Sequence, residues 1–298
     1  MATILITGGS GLVGRRLVSL LMEAGHEIRL LSRSPAPNAY RWNPLKGELD
    51  EKALEGVDAI IHLAGENIGA KSWTNSRRKA IRDSRVLGLE IIREALERHG
   101  WALPTLVSAS AVGYYGNSTS DRPCIESDPP ATDFLGQVCS DWEASALAFK
   151  QINTRVVVLR TGLVLSRQGG VLPLLFNLGR LGLLTPLGSG RQAMPWIHLD
   201  DLCGLYRKTL DDHHMEGAFN AVAPEFHTNR SFSATLASTV KRPFFLPPLP
   251  TFLLKLFMGG RASLLLEGSR ISPRKVSETG YSFQFPTLRQ ALEAEKKL

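Results

Sequence analysis

The sequence predicts an α/β fold: an open, doubly wound parallel sheet followed by a smaller α/β unit. Three observations predict it. Short β-branched runs alternate with helical segments through the first two-thirds of the 298 residues. A glycine-rich turn joins the first strand to the first helix. Beyond Arg160 glycine and proline thicken, as in Gly169-Gly170, Gly188, Gly190 and Pro195, so long loops and short elements take over.

Residues 2–6 read as a buried strand. Residues 12–23 read as a helix whose leucines and valines recur at helical spacing until Gly25 stops it. The second strand covers 27–31, a weak third 40–42 and a strong fourth 59–63. A long helix follows over 76–99, basic at its start, with Val86, Leu89, Ile92 and Leu96 on one apolar face. Residues 105–109 form the next strand, 134–149 a helix and 155–159 a further strand. A proline-rich stretch, 243–250, leads into an apolar segment at 252–258. A boundary near 165 divides the chain into a first domain, 1–165, and a smaller one, 166–298, segments of which can return to the first.

Composition narrows the class. The chain is 43% hydrophobic, 21% charged and 7% aromatic, which excludes disorder, collagen-like repeats and coiled coil. No apolar run reaches the ~18 residues of a membrane helix, so no membrane partner is expected. Cys124, Cys139 and Cys203 form no C-x-x-C pair. That argues against a disulfide scaffold and a cysteine-rich zinc site, and fits a reducing, cytoplasmic setting. The opening run Thr3-Ile4-Leu5-Ile6-Thr7 is too short and too β-branched for a signal sequence. The net charge of +7 suits polyanions from nucleic acid to a phosphorylated cofactor. Arg77, Arg78, Lys79 and Arg82 cluster without aromatic interleaving, so nucleic acid is not an expected partner. Asp211-Asp212-His213-His214 has the composition of a metal cluster but poor chelating spacing, and reads as a solvated loop with no metal.

The turn Thr7-Gly8-Gly9-Ser10-Gly11-Leu12-Val13-Gly14 sits between the first strand and the first helix. Gly8 serves a tight turn, Gly11 a close backbone approach to a pyrophosphate, and Gly14 close helix-to-strand packing. Ser10 and Leu12 belong to the same cradle. Free N–H groups at the helix start then face the phosphates, and the helix dipole adds to their pull. At the end of the second strand stands Leu31-Ser32-Arg33-Ser34, with no acid beside it in sequence. An NAD-preferring site usually places Asp or Glu there; Arg33 and Ser32 instead suit a 2′-phosphate, so NADP(H) is the expected cofactor. A solvated surface arginine is the plainer alternative.

With that loop, Ala59-Ile60-Ile61-His62-Leu63-Ala64-Gly65, Val107-Ser108-Ala109-Ser110 and Pro195-Trp196-Ile197-His198-Leu199-Asp200-Asp201 in order, the chain resembles the extended short-chain dehydrogenase/reductase superfamily. More narrowly it resembles the NAD-dependent epimerase-like branch with its own carboxy-terminal domain. Gly65-Glu66-Asn67-Ile68, Asp141-Trp142-Glu143, Leu264-Leu265-Leu266-Glu267-Gly268 and the tail from Gly280-Tyr281 to Ala291-Leu292 carry the narrower match. The resemblance spans essentially the whole length. It implies a Rossmann-type doubly wound parallel sheet, an NADP(H) site and a smaller C-terminal α/β substrate domain. It also implies that Leu63 and Ala64 pass beside the adenine-ribose side, that Arg85 reaches the cofactor from an active-site asparagine position, and that Val164 lies near the nicotinamide. Core packing at a strand end is compatible with the same roles for Leu63 and Ala64.

In that superfamily a tyrosine acts as general acid/base, assisted by a lysine four residues on and by a serine. Here no tyrosine is followed at that distance by lysine. On the helix from Phe134, Leu135 and Cys139 stand where the pair belongs, in a register that could slip. Ser110 matches the serine, or caps a strand end. Tyr114 could substitute for the tyrosine, or pack. Cys139 could be an acid/base or a thiolate nucleophile if Arg85 lowered its pKa, or a small core residue. His198 beside Asp200 and Asp201 is better read as an anchor between the domains than as an acid/base pair. The leading expectation is an NADP(H)-dependent epimerase-like oxidoreductase of a small substrate, a nucleotide sugar being one candidate. The alternative is a catalytically silent NADPH-binding regulator. A homodimer is compatible with either.

Overall fold

The computed structural model describes residues 1–34, 38–117 and 121–297. Its strands are β1 (Thr3–Thr7), β2 (Glu27–Ser32), β3 (Ala39–Asn43), β4 (Glu48–Leu49), β5 (Ala59–His62), β6 (Thr105–Ala111), β7 (Arg155–Thr161), β8 (Leu163–Leu165), β9 (Trp196–His198) and β10 (Gly217–Ala221). Eight of them make one sheet in the order β10-β7-β6-β5-β1-β2-β3-β4, parallel throughout except for the short β3–β4 hairpin. β8 and β9 pair in parallel as a separate two-stranded sheet. The expected doubly wound parallel sheet is therefore present, and β10 joins it from beyond residue 165.

Residue alternation along β1 explains how both faces are covered. Ile4 and Ile6 pack to one side, Leu5 to the other, and all three are fully buried. The first side is closed by α1 (Leu12–Glu23), which brings Leu17 and Leu21. The second is closed by α2 (Asn75–His99) and α3 (Phe134–Leu147), with Leu89, Ile92, Trp142 and Ala146. After α4 (Leu172–Arg180), the first side gains α5 (Leu199–Asp211) through Leu202 and Tyr206. The remaining helices are α6 (Asn229–Thr239), α7 (Thr251–Met258), α8 (Ser263–Leu266), α9 (Arg274–Glu278) and α10 (Leu288–Lys297). Phe176 of α4, Phe232 and Leu236 of α6 and Leu288 and Leu292 of α10 form a third core beside the sheet.

Helix starts follow local chemistry. Thr74 accepts a hydrogen bond from Arg77 N at the start of α2, and Asp133 accepts from Gly136 N at the start of α3. Thr228 and Ser231 form a reciprocal capping box on α6. α1 differs: its N-cap is Gly11, with no side-chain cap.

The Trp196–Asp201 run pins the C-terminal tail, and Arg16 of α1 meets Asp200 at 2.6 Å. The fully buried Asp201 carboxylate accepts from Gln284 N (2.7 Å) and Phe285 N (3.0 Å), pinning the tail against α5. His198 Nδ1 accepts from Asp200 N, so its proton sits on Nε2, which donates to Glu295 at 2.9 Å. Asp201→Ala removes the buried acceptor of two backbone amides. We expect it to cost about 2–4 kcal/mol in urea unfolding, and a loss below about 0.5 kcal/mol would contradict this anchoring role.

Candidate functional site

The sheet order reverses between β1 and β5, since β1 connects outward to β2 on one side while β5 leads to β6 on the other. A crevice forms at such a switch point, beyond the carboxyl ends of the strands. Thr7 builds its floor. Its hydroxyl accepts from Leu63 N (3.2 Å) and Ala64 N (3.1 Å) and donates to His62 Nδ1 (3.0 Å). The His62 proton then lies on Nε2, which donates to the Arg85 carbonyl at 3.2 Å. Burial lowers the His62 pKa to about 4, so the ring stays neutral.

The glycines act at defined points. Gly8 has φ +72°, and a Cβ there would stand 2.9 Å from both Ala64 N and the Leu63 carbonyl carbon. A Cβ on Gly14 would overlap the Gly8 carbonyl oxygen, which Gly11 N also bonds at 3.0 Å. The turn therefore lies flat on β5 while α1 lies flat on the turn. Arg15 Nη1 donates to Ser10 O and braces the exposed loop. Leu12 packs beneath Gly169 and Gly170, the segment that follows Val164 of β8. Leu12 thus joins the turn to the segment that follows β8.

At the crevice rim the structure corrects one reading of the sequence. Arg33 has no acid beside it in sequence, yet its Nη1 lies 3.4 Å from Glu66 Oε1 across the cleft. Arg77 holds the other carboxylate oxygen at 2.9 Å, and its hydrogen bond lowers the Glu66 pKa. Arg33 remains 65% exposed, so two guanidiniums share one carboxylate and the cluster keeps a net positive charge. Ser32 Oγ accepts from Ser34 N beside it.

Arg85 points inward from α2. Its guanidinium donates to Ile81 O (2.8 Å) and Glu66 O (3.2 Å), lies 5.1 Å from the Trp142 ring centroid, and packs against Gly65 so closely that a Cβ there would stand 2.9 Å from Cζ.

The α3 face expected to hold an acid/base group carries neither tyrosine nor lysine. Leu135, Cys139 and Glu143 recur every four residues on α3 and face β6 and the turn after it. Ser110 Oγ donates to Glu143 Oε1 at 2.6 Å. Arg160 of β7 grips both Glu143 oxygens, at 2.9 and 2.8 Å, and donates to Tyr115 Oη at 2.7 Å. Tyr115 donates onward to Asn220 of β10. The Arg160 guanidinium also lies 3.5 Å from the Tyr114 ring centroid.

The same contacts bear on the thiolate reading of Cys139. Burial, with Glu143 adding to it, outweighs Arg85 and pushes the thiol up to about 11. The raised thiol lies against Ser110 and Ala111. Burial raises the Tyr114 and Tyr115 hydroxyls above the usual tyrosine range as well. Glu143 and Arg160 were the residues overlooked: Asp141-Trp142-Glu143 and Arg160-Thr161-Gly162 stood in the sequence, but their partnership spans two elements. Among the described residues no group of three His, Cys, Asp or Glu is placed to hold a metal ion.

Comparison with known proteins agrees with this geometry. Residues 4–221 match the model of the NAD dependent epimerase/dehydratase family, and 249–295 match a domain of unknown function. The chain belongs to the NAD dependent epimerase/dehydratase family. The "Epimerase family protein Mb2239" of Mycobacterium bovis is 39% identical over 98% of this chain and 96% of its own. A crystal structure of human epimerase family protein SDR39U1 (isoform 2) with NADPH superposes with a TM-score of 0.89, at 35% identity over 99% of this chain and 100% of that one. A nucleoside-diphosphate sugar epimerase from Corynebacterium glutamicum gives 0.81, at 32% identity over 99% of this chain and 58% of that one. Within that family, the α3 of this chain contains neither tyrosine nor lysine.

His62 makes the crevice floor acid-sensitive. Its pKa is 6.5 unfolded and about 4 folded, so the unfolded chain takes up a proton that the folded chain refuses. Stability present above pH 6.5 is lost as pH falls toward 4, by up to about 3 kcal/mol. His62→Gln should flatten the pH dependence of urea midpoints across that window; parallel profiles for the two proteins would contradict it.

Proposed function

We propose that the chain binds NADP(H) in the crevice between β1 and β5 and acts as an epimerase-like oxidoreductase on a small substrate. One observation carries the reading: the α1 N-terminus has no side-chain cap and opens behind a turn pressed onto Leu63–Ala64, with arginines at its rim. An uncapped helix start leaves N–H donors for an anion, and close backbone packing leaves room for a dinucleotide. The residues fit the group. Gly8, Ser10, Gly11, Leu12 and Gly14 would hold the pyrophosphate, Ser32 and Arg33 the 2′-phosphate, Leu63 and Ala64 the adenosine side, and Arg85 and Val164 the nicotinamide half. The NADPH in the human relative's crystal structure supports this choice.

A bound nicotinamide supplies hydride exchange with a substrate carbon. The protein must then manage the proton. Ser110 already gives its own proton to Glu143, so its oxygen has only lone pairs to offer a substrate hydroxyl. As a substrate oxygen gives its proton to Ser110 Oγ, the serine's proton passes to Glu143 Oε1. Arg160, holding both carboxylate oxygens, keeps that acceptor in place. A nucleoside-diphosphate sugar is the first substrate class to test, because the Corynebacterium relative is described as an epimerase of such sugars.

A silent NADPH-binding regulator is the second reading. Its support is that Cys139, Tyr114 and Tyr115 are all driven away from neutral titration. Turnover of a nucleotide-sugar library separates the two: activity abolished by Ser110→Ala favours the enzyme, and silence throughout favours the regulator. For the cofactor, fluorescence titration should show NADPH bound more tightly than NADH. Arg33→Ala should weaken NADPH about tenfold and leave NADH nearly unchanged. Equal affinities before and after the substitution would overturn the role of Arg33.

A further inference from the structure

The apolar segment at 252–258 is not core. α7 buries only Leu254 among its eight residues. Phe252, Leu256 and Phe257 stand 67%, 74% and 78% exposed, and Phe245, just upstream, 72%. On the helix, Phe252 and Leu256 are one turn apart and lie opposite Leu254, so they form a ridge directed at solvent. The neighbouring segment extends this surface. Arg242 Nε donates to Arg180 O, Thr185 Oγ1 bonds Pro247 O, and Leu187 bridges Leu249, which sets 180–188 alongside 242–251. Leu181 and Leu183 on that segment are 72% and 51% exposed. Exposed apolar groups grouped this way mark an interaction surface.

Charge selects the partner. No Asp or Glu occurs between residues 144 and 199, or between 226 and 266, although the chain carries 28 acids. Arg180, Arg191, Arg230, Lys241, Arg242 and Lys255 are all exposed within those stretches. Lys255 lies on α7 itself, and Arg242 and Arg180 on the segments paired beside it. This surface is therefore apolar and cationic, with its nearest acids in sequence at Glu225 and Glu267. A second copy meeting it about a two-fold axis would set these cations against themselves. A protruding ridge also differs from the concave groove that receives a partner's helix.

We propose that this face docks peripherally on an anionic lipid bilayer, with Phe252, Leu256 and Phe257 entering the headgroup region and the arginines and lysines meeting lipid phosphates. No helix of the described residues is long and apolar enough to cross a membrane, so the contact is interfacial. It would also orient the cleft. α7 runs directly into residues 259–270, where Arg261 Nη1 donates to Gly69 O at 3.0 Å and Ser269 Oγ to Gly116 O at 2.7 Å, tying this segment to the loops after β5 and β6.

The test is flotation of the full chain with vesicles of phosphatidylcholine alone or mixed equally with phosphatidylglycerol. Binding should occur on the anionic vesicles and fall in high salt. Phe252→Ser combined with Phe257→Ser should weaken it at least about tenfold, and Lys255→Glu about fivefold, while NADPH affinity stays unchanged as the check on folding. No enrichment on either vesicle would overturn the proposal. So would binding that survives both variants. Light scattering that shows a dimer dissolved by the paired serine variant would overturn it in favour of a second copy, and retention only by an acidic protein partner would do so in favour of that partner.

Discussion

The cleft depends on the contact between the Gly8 turn and the end of β5. A parallel sheet leaves its strand ends open, and what fills the opening is decided by how closely adjacent ends approach. Here Thr7 closes the gap with one hydroxyl that serves two amides just beyond β5 and one imidazole. Gly8, in the left-handed region, lets the chain turn without a side chain where none would fit. Gly14 then brings α1 down onto that turn, so the helix start, its unpaired amides and its dipole all point into the same small volume. Displacing any one of these groups would displace the others.

The second fixed structure is the chain of polar groups from Ser110 through Glu143, Arg160 and Tyr115 to Asn220. It links β6, α3, β7, the turn after β6 and β10, which are contributed by both halves of the sequence. A buried ion pair of this kind adds little net stability, because desolvation offsets its attraction, but losing one partner leaves an unpaired charge. Its value lies in geometry. Each member is satisfied by the next, so the α3 face has one arrangement against the sheet rather than several.

Much of this was legible in the sequence for a physical reason. Parallel strands buried on both faces must be apolar and β-branched, and helices covering them must be amphipathic; both signals are local. The predicted 12–23 helix is α1, and the strands at 27–31, 59–63, 105–109 and 155–159 appear within two residues of their expected ends. The β4 hairpin strand, with two residues, and β8 and β9, with three each, are too short for any period to show. β10 is defined by pairing with β7, some 60 residues earlier in the chain. The site follows the same rule. The glycine turn is local and readable, whereas Glu66 reaches Arg33 across 33 residues and Arg160 reaches Glu143 from another element. Cys139 shows the converse failure: its position on the helix was legible, but its protonation depends on burial and on Glu143, which only the fold supplies.

The missing lysine leaves a question of charge that the structure answers in its own terms. The superfamily resemblance implies a hydroxyl and a cation one turn apart on the α3 face. In this chain the same face reads Leu135, Cys139, Glu143, and its only charge is negative. An anion in that position would oppose an anionic substrate or cofactor unless cations were brought from elsewhere. They come from both sides: Arg160 of β7 neutralises Glu143 directly, and Arg85 enters from α2, held by carbonyl oxygens and by the Trp142 ring. Burial lowers the Arg85 pKa, yet a guanidinium remains charged there. Positive charge at this face thus comes from β7 and α2 rather than from α3. A proton route through Ser110 to Glu143 is consistent with that distribution, because it uses the carboxylate held by Arg160 rather than the raised thiol of Cys139.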